Sequence, residues 1–477
     1  MNRVMVYMLY FAIYTVLLLM MGKNGFKKTN TIKDFCVAGN SLGLFISVST
    51  FTATLFSAVS MQSVTGSVYL YGYSPLLYSV VGWLLGCSLL IFVANRIKNY
   101  DIATIPEYFK IRYHSSGYQA FTGSIIVLCY ILYIVIQIKG FGIVVSELLD
   151  INYNVAILLI YLFVVYTSFG GLFSVSKTDA LNLIMICLGI CIIAAAVLLD
   201  YGGITAIHEK AVAISEGALL DATSNGYFSP LMIITTGMAW GLGTAANPQY
   251  IIRISSAKNK KTAIQMVCLA TIILSIMYLG LLVVGLGARA QESSPVPATA
   301  IDEMLSYFVH NNFGAYISGI MFISIIAASI STANSQLLLL AGSFNYDVYR
   351  NLFKKDISHD KFLNMNRLVI FIAGTISLIL AVNPVETLLI YGSYIWSIFS
   401  VTYLCPLYGG LYWKKATKEG AIYSSIAGMA VLLTLYLADH FYGFGENIHP
   451  VLPATVVSAA VFYAVSRRTY QEEGYEA

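Results

Sequence analysis

Charge is what this sequence has least of. Only 10% of its 477 residues are Asp, Glu, Lys or Arg, against roughly 25% in soluble globular proteins, which excludes a string of water-soluble domains. Histidine is scarce as well. All six (His114, His208, His310, His359, His440 and His449) fall in connections between apolar stretches, so the usual ligands and bases of a metal-dependent or histidine-based enzyme are missing at membrane depth. The seven cysteines are odd in number, and Cys87, Cys129, Cys187, Cys191, Cys268 and Cys405 sit in apolar runs. They mark neither a disulfide framework nor a metal cluster and read as small core residues. No nucleophile-and-base constellation, low-complexity segment or long linker is present. Nucleic-acid binding, secretion and cytoplasmic catalysis are poor fits, and no cofactor is called for.

What is abundant is apolar: 58% of the chain is hydrophobic. At roughly 20 apolar residues per spanning helix, that suffices for about thirteen spans. Apolar stretches lie near 4–22, 42–70, 74–95, 118–148, 153–169, 180–199, 230–250, 263–287, 312–345, 367–383, 385–410, 420–437 and 450–466. With the amino terminus outside, the odd-numbered connections are cytoplasmic. They carry Lys23, Lys27, Lys28 and Lys33; Arg96, Lys98, Lys110 and Arg112; Lys177; Arg253, Lys258, Lys260 and Lys261; Arg350, Lys354, Lys355, Lys361 and Arg367; and Lys414, Lys415 and Lys418, with Arg467 and Arg468 in the tail. Of the remaining basic residues, Arg3, Lys210 and Arg289 fall on the opposite face and Lys139 within a span. This bias satisfies the positive-inside rule for thirteen helices with the amino terminus outside and the carboxyl terminus inside, a multi-pass protein of the cell membrane, here expected to be a bacterial plasma membrane. The first stretch reads as a retained helix, because no small-residue cleavage site follows it and the positive charge comes after it.

Polar chemistry enters the membrane at three places. The second stretch contains Thr50, Thr52, Thr54, Ser57, Ser60, Ser63, Thr65 and Gly66; the seventh contains Gly237, Gly241 and Gly243, then Asn247-Pro248-Gln249. Such interruptions leave backbone groups that lipid cannot satisfy but a cavity, an ion or a ligand can. They occupy matching places, each opening a five-helix block, and an odd block length gives the two blocks opposite orientation, as in an inverted repeat with its site at the midplane. The alternative is that small residues merely permit close helix packing. The ninth stretch offers Ser331 and Thr332, with Asn334 and Ser335 a turn on. These are neutral hard oxygens suited to a cation such as sodium, unless they only bond the carbonyl four residues back.

Residues 170–182 (GGLFSVSKTDALN), 240–261 (WGLGTAANPQYIIRISSAKNKK), 327–338 (AASISTANSQLL) and 405–421 (CPLYGGLYWKKATKEGA) resemble the sodium/solute symporter family, which includes bacterial pantothenate, proline and sialic acid symporters. The resemblance runs over nearly the whole chain. It implies an all-α polytopic membrane protein with the leucine-transporter fold, a 5+5 inverted repeat working by alternating access, and sodium as the coupling ion. It also implies a sodium site made by the carbonyls of Ala53, Phe56 and Ala328 and the hydroxyls of Ser331 and Thr332. In the sialic acid branch an aspartate matching Asp179 works with serines at the places of Asn334 and Ser335, which implies a second sodium or an exit path there. At the amino-terminal start of the sixth helix Asp179 also suits a plain helix cap. The acidic residue of the proline permeases is absent, with Leu55 in its place.

The solute pocket is expected beside the sodium site, lined by Ser57, Ser60 and Gln62 from the second helix and Trp240, Gly243 and Thr244 from the seventh, where half-helix ends expose backbone groups and an indole offers an apolar face. Lys139 lies in the fourth span with Val135, Ile136, Gly142 and Ile143 as helical neighbours, none able to pair with it. A lysine there either faces the cavity as counter-ion to a carboxylate or snorkels to the interface; a basic residue in the corresponding helix holds the carboxylate in the sialic acid symporters. The expectation is one transmembrane domain over 1–477, comprising an extra first helix (4–22), a first repeat (42–200), a second repeat (230–410) and two extra helices (420–466). Its function would be sodium-coupled import of a small organic solute bearing a carboxylate: an organic acid, vitamin, amino acid or sugar acid. A transporter-like sensor or a channel is the alternative.

Overall fold

The computed structural model describes residues 2–26, 29, 31–168, 170–291, 298–353, 358–383, 387–442 and 448–471. Lys27, Lys28, Lys354 and Lys355, expected in cytoplasmic connections, lie outside the described residues. The helices are α1 (Arg3–Phe26), α2 (Ile32–Val37), α3 (Leu44–Leu55), α4 (Val64–Tyr71), α5 (Val81–Ile97), α6 (Ile105–Tyr113) and α7 (Ser116–Leu149). Then come α8 (Tyr153–Ser168), α9 (Gly171–Tyr201), α10 (Ile204–Ser215), α11 (Pro230–Ala246), α12 (Pro248–Ser256), α13 (Lys260–Gln291) and α14 (Met304–Asn312). The last are α15 (Ala315–Gly342), α16 (Arg350–Phe353), α17 (His359–Ala381), α18 (Leu388–Tyr412), α19 (Lys418–Tyr442) and α20 (Val451–Thr469). Among the described residues no strand forms, and one isolated bridge joins Leu42 to Ala257.

Among the described residues, nine helices are long and apolar enough to cross a membrane, and the pair α3 and α4, bent by 61°, makes a tenth. The fifth, seventh and thirteenth apolar stretches are also helical, as α8, α11 and α20, but shorter or less apolar. The second stretch breaks where expected. Its first half ends at Phe56, whose φ of −86° and ψ of 102° are extended, and the chain re-enters through a π-helical turn, Val59–Ser63.

The seventh stretch breaks later than its glycines suggested. Gly237, Gly241 and Gly243 lie inside the continuous helix α11, and the interruption falls at Asn247, whose side chain accepts the N–H of Gln249 and caps α12 with Pro248 at its first position. Gly241 serves packing, since a Cβ there would lie 2.8 Å from the Gly82 carbonyl oxygen, and the facing glycines of α5 do the same. A Cβ on Gly82 of α5 would lie 2.3 Å from the Gly237 carbonyl oxygen, and one on Gly86 would lie 2.4 Å from that of Gly241. Only bare backbone lets α5 and α11 approach so closely.

Two sequence-based placements shift. Helix α9 begins at Gly171, so Asp179 is two turns inside it, fully buried; the cap reading fails because the polar opening SVSKTD is itself helical. Arg253, assigned to a cytoplasmic connection, lies on α12 with no exposed surface. What ends α12 is Lys98, whose ammonium donates to the carbonyls of Ser255 at 2.7 Å and Ala257 at 2.6 Å, the favourable place for a cation on a helix.

Candidate functional site

The oxygens of α15 meet the end of α3. Ser331 Oγ, with a single proton to give, lies 2.8 Å from the Ala53 carbonyl oxygen and 3.0 Å from that of Ala328. Thr332 Oγ1 lies 3.2 Å from the carbonyls of both Thr54 and Ala328. Every one of these residues is buried. The extended turn at Phe56 stops the helical ladder, so carbonyls in the last turn of α3 have no helical N–H ahead of them. Two hydroxyls and several carbonyls thus converge with no formal charge, a donor set that suits a hard monovalent cation. The five expected sodium residues flank one spot: Ala53, Ala328, Ser331 and Thr332 through direct contacts, Phe56 through its place at the break.

Past the break, the Ala58 N–H donates to Gln137 Oε1 at 3.3 Å, and Ser60 Oγ shares a hydrogen bond with Tyr278 OH at 2.8 Å. Tyr278 belongs to a chain of aromatic rings contributed by successive helices. Centroids are 5.1 Å apart for Phe56 and Tyr278, 5.4 Å for Tyr278 and Trp83, 4.8 Å for Trp83 and Trp240, 5.7 Å for Trp240 and Trp396, and 4.2 Å for Trp396 and Tyr133. Tyr133 interacts with Ser57, which brings the circuit back to the broken helix. The indole of Trp240 fits because Gly392 faces it: a Cβ there would be 2.6 Å from Trp240 Cη2. Around this ring the side-chain nitrogens of Trp240, Trp396 and Gln137 are buried without a partner among the described residues; the same holds for both polar atoms of Gln62 and for the hydroxyl of Thr244, which packs toward Gly86 of α5. Buried polar groups are ordinarily satisfied, so unmatched donors and acceptors beside an aromatic enclosure mark a place for a polar ligand.

Of the expected pocket residues, Ser57, Ser60 and Trp240 belong to this ring. Gly243 does not line it; a Cβ there would sit 2.6 Å from the Trp396 carbonyl oxygen, so its role is helix contact. Gln62 points toward α7, where its Oε1 is 2.7 Å from the Cβ that Gly140 lacks. Sequence reasoning missed Trp83, Tyr133, Trp396, Tyr278 and Gln137. Only Gln137 carries a local signal, as an amide in an apolar span.

Lys139 has a partner that its own helix did not reveal. Its Nζ lies 3.0 Å from Oδ2 of Asp302, and the two side chains are 16% and 5% exposed. It is therefore held by a carboxylate from a distant part of the chain instead of standing alone in its span. The cavity it borders, about 560 Å³, is lined by Ser146, Glu147, Tyr153, Glu303 and Tyr307 and contains no residue of the aromatic ring.

Asp179, Asn334 and Ser335 do not converge on one empty spot. Thr50 Oγ1 donates to Asp179 Oδ2 at 2.6 Å. The Asn334 amide oxygen accepts Thr167 Oγ1 at 2.8 Å and Ser168 Oγ at 3.1 Å. Ser335 Oγ accepts Arg253 Nη2 at 2.5 Å and shares a hydrogen bond with Thr54 Oγ1 at 3.0 Å.

The model of the sodium:solute symporter family matches residues 35–428, well over half of the chain. The chain belongs to that family. The sodium/proline symporter of Staphylococcus aureus (strain USA300 / TCH1516) is 27% identical over 485 residues, covering 96% of this chain and 92% of that protein. The osmoregulated proline transporter OpuE of Bacillus subtilis (strain 168) is 27% identical over 470 residues, covering 96% and 94%. Among solved structures, a substrate-bound, outward-open Na+-coupled sialic acid symporter superposes with a TM-score of 0.79 at 19% identity, over 97% of this chain and 98% of that one. MHP1, a nucleobase-cation-symport-1 family transporter in a closed conformation, gives 0.55 at 13% identity over 93% and 96%. The fold of this family member is thus the all-helical one of a leucine-transporter-fold symporter. It is a multi-pass membrane transporter coupled to sodium, not an enzyme.

Proposed function

We propose that this symporter imports one small carboxylate-bearing solute with an apolar body, driven by sodium bound between Ala53, Phe56, Ala328, Ser331 and Thr332. The observation that carries the sodium site is Ser331 Oγ at 2.8 Å and 3.0 Å from two carbonyls on different helices. The solute lies against the ring of Trp83, Tyr133, Trp240, Tyr278 and Trp396, whose unmatched indole and amide nitrogens supply neutral donors. With Lys139 held by Asp302, those donors and the broken helix take the carboxylate in its place. An amino acid of proline's size satisfies this description, and proline is what the two bacterial relatives are named for.

The ring is closed and buried, which suits alternating access better than an open pore. The working arrangement is a 5+5 inverted repeat over 42–200 and 230–410 in a plasma membrane, amino terminus outside. Moving one sodium inward yields about 2.3 kcal/mol per 100 mV, so one ion can concentrate a neutral or zwitterionic solute.

The test is uptake of radiolabelled proline, other amino acids, pantothenate and sialic acid into proteoliposomes, with and without an inward sodium gradient. Sodium-stimulated uptake of one carboxylate that weakens in Ser331→Ala is expected. Uptake indifferent to sodium, or following protons instead, would overturn the reading.

A further inference from the structure

The place beside Asp179 does not fit a second sodium ion. Of the would-be ligands, the Asn334 oxygen is turned to the hydroxyls of Thr167 and Ser168, at 2.8 Å and 3.1 Å, and the Ser335 oxygen is engaged by Arg253 and Thr54. Asp179 Oδ1 is the one carboxylate oxygen there without a partner among the described residues, and a single oxygen does not replace a hydration shell. A cation is nevertheless present. Arg253 is fully buried on α12, its Nη2 is on Ser335, and its charge interacts with that of Asp179. Between the two, Thr54 and Ser335 form a polar bridge, with Thr54 also close to Asp179.

We propose that Arg253 is a built-in cation that takes the place of a second sodium beside Asp179, so that the protein binds one sodium per solute. The inference rests on the sodium site at Ala53, Phe56, Ala328, Ser331 and Thr332, which lies one residue from Thr54 along α3 and one helical turn from Ser335 along α15. A buried carboxylate inside a membrane protein needs an opposite charge, and a guanidinium carried by the chain supplies it at every stage of the cycle, whether or not the transported ion is bound. A mobile sodium entering the same place would be repelled by the fixed charge and would find its oxygens already bonded. Arginine suits this role because it stays charged when buried. Its Nε and Nη1 have no partner among the described residues, so what holds it there is the field of Asp179 together with Ser335.

Equilibrium binding of 22Na+ to the purified full-length protein, without solute, tests this. The wild type should bind one ion per chain with a Hill coefficient near one. Asp179→Asn should still bind one, because Asp179 does not ligate the ion, with affinity weakened several-fold by the Arg253 charge that is no longer neutralised. Arg253→Ala, which empties the place and frees Ser335, should bind two ions with a Hill coefficient rising toward two. Arg253→Lys should stay at one, and adding Asp179→Asn to Arg253→Ala should return the count to one. Two ions in the wild type, or the loss of an ion in Asp179→Asn, would overturn the proposal, as would a single ion in well-folded Arg253→Ala. If Arg253→Ala does not fold, the wild type and Asp179→Asn decide alone. No bound sodium in the wild type, or binding untouched by Ser331→Ala, would instead overturn the sodium site on which the inference rests.

Discussion

Lys139 Nζ lies 3.0 Å from Asp302 Oδ2, and the same carboxylate oxygen accepts the backbone N–H of Leu388 at 3.1 Å while the other takes the hydroxyl of Ser63. One side chain thereby ties together α7, the π-helical turn after the break and the start of α18. Removing one partner of a buried pair costs more than the pair is worth, because it leaves the other charge unmatched; here Asp302 keeps its two neutral donors. Lys139→Met should lower stability by about 1–3 kcal/mol, and Asp302→Asn by a similar amount. The double variant should fall well short of their sum. Thermal unfolding of the four proteins in detergent measures the coupling, and simple additivity would show that the pair is not acting as one. Apparent solute affinity should survive Lys139→Met, since the ammonium lies outside the aromatic ring.

The segment that carries Asp302 rests directly on Gly66. A Cβ at that position would fall 2.0 Å from the Ile301 carbonyl oxygen, backbone against backbone. No rotamer relieves that overlap, so Gly66→Ala must lift residues 301–303 from α4 at a cost of about 1–3 kcal/mol. It should also weaken the Lys139–Asp302 pair, so that Lys139→Met has a smaller effect in the Gly66→Ala background than in the wild type. Equal effects in both backgrounds would place the strain elsewhere.

What could be read from the sequence was local. The break of the second span announces itself because threonines and serines crowd one apolar stretch, and Ser331 and Thr332 stand out for the same reason. Asp302 and Lys139 are 163 residues apart in the chain, and neither neighbourhood hints at the other. The aromatic ring draws Trp83, Tyr133, Trp240, Tyr278 and Trp396 singly from five helices, and in a chain with 13% aromatic residues nothing in their spacing singles them out. Arg253 and Asp179 were misjudged for one reason: apolar windows end where polar residues begin, whereas α9 and α12 continue through theirs because other helices cover them. Glycines misled in the opposite direction, since Gly241 sustains a helix seam with Gly82 and Gly86 where a break was expected.

Ser331 and Thr332 each offer one hydroxyl to the same spot, so their removal should act on the ion and not on the fold. Ser331→Ala and Thr332→Val delete an oxygen with little change in volume. With each such hydroxyl worth about 1 kcal/mol, the half-saturating sodium concentration should rise roughly fivefold, while the maximal rate at saturating sodium changes much less. Transport assayed across a sodium series measures both quantities. An unchanged sodium dependence in both variants would mean that the hydroxyls merely bond the carbonyls of Ala53, Ala328 and Thr54.

Trp240 separates packing from recognition. It is 1% exposed and touches Trp83 and Trp396, so Trp240→Ala opens a large cavity and should cost about 3–5 kcal/mol, which confounds any reading of solute affinity. Trp240→Phe keeps an aromatic face between its two neighbours and removes Nε1, a donor with no partner among the described residues. Losing a donor that no protein group uses should leave stability nearly unchanged or slightly improved, because a buried unmet hydrogen bond disappears. Losing a donor that the solute does use should weaken its binding by about 1–2 kcal/mol, roughly tenfold in apparent affinity. The expected result for Trp240→Phe is therefore unchanged thermal stability without solute, unchanged sodium affinity, and a solute affinity about tenfold lower. Sodium and solute affinities that fall together would point to a ring that shapes the broken helix instead of contacting the solute. Unchanged affinities for both would move the pocket away from Trp240 altogether.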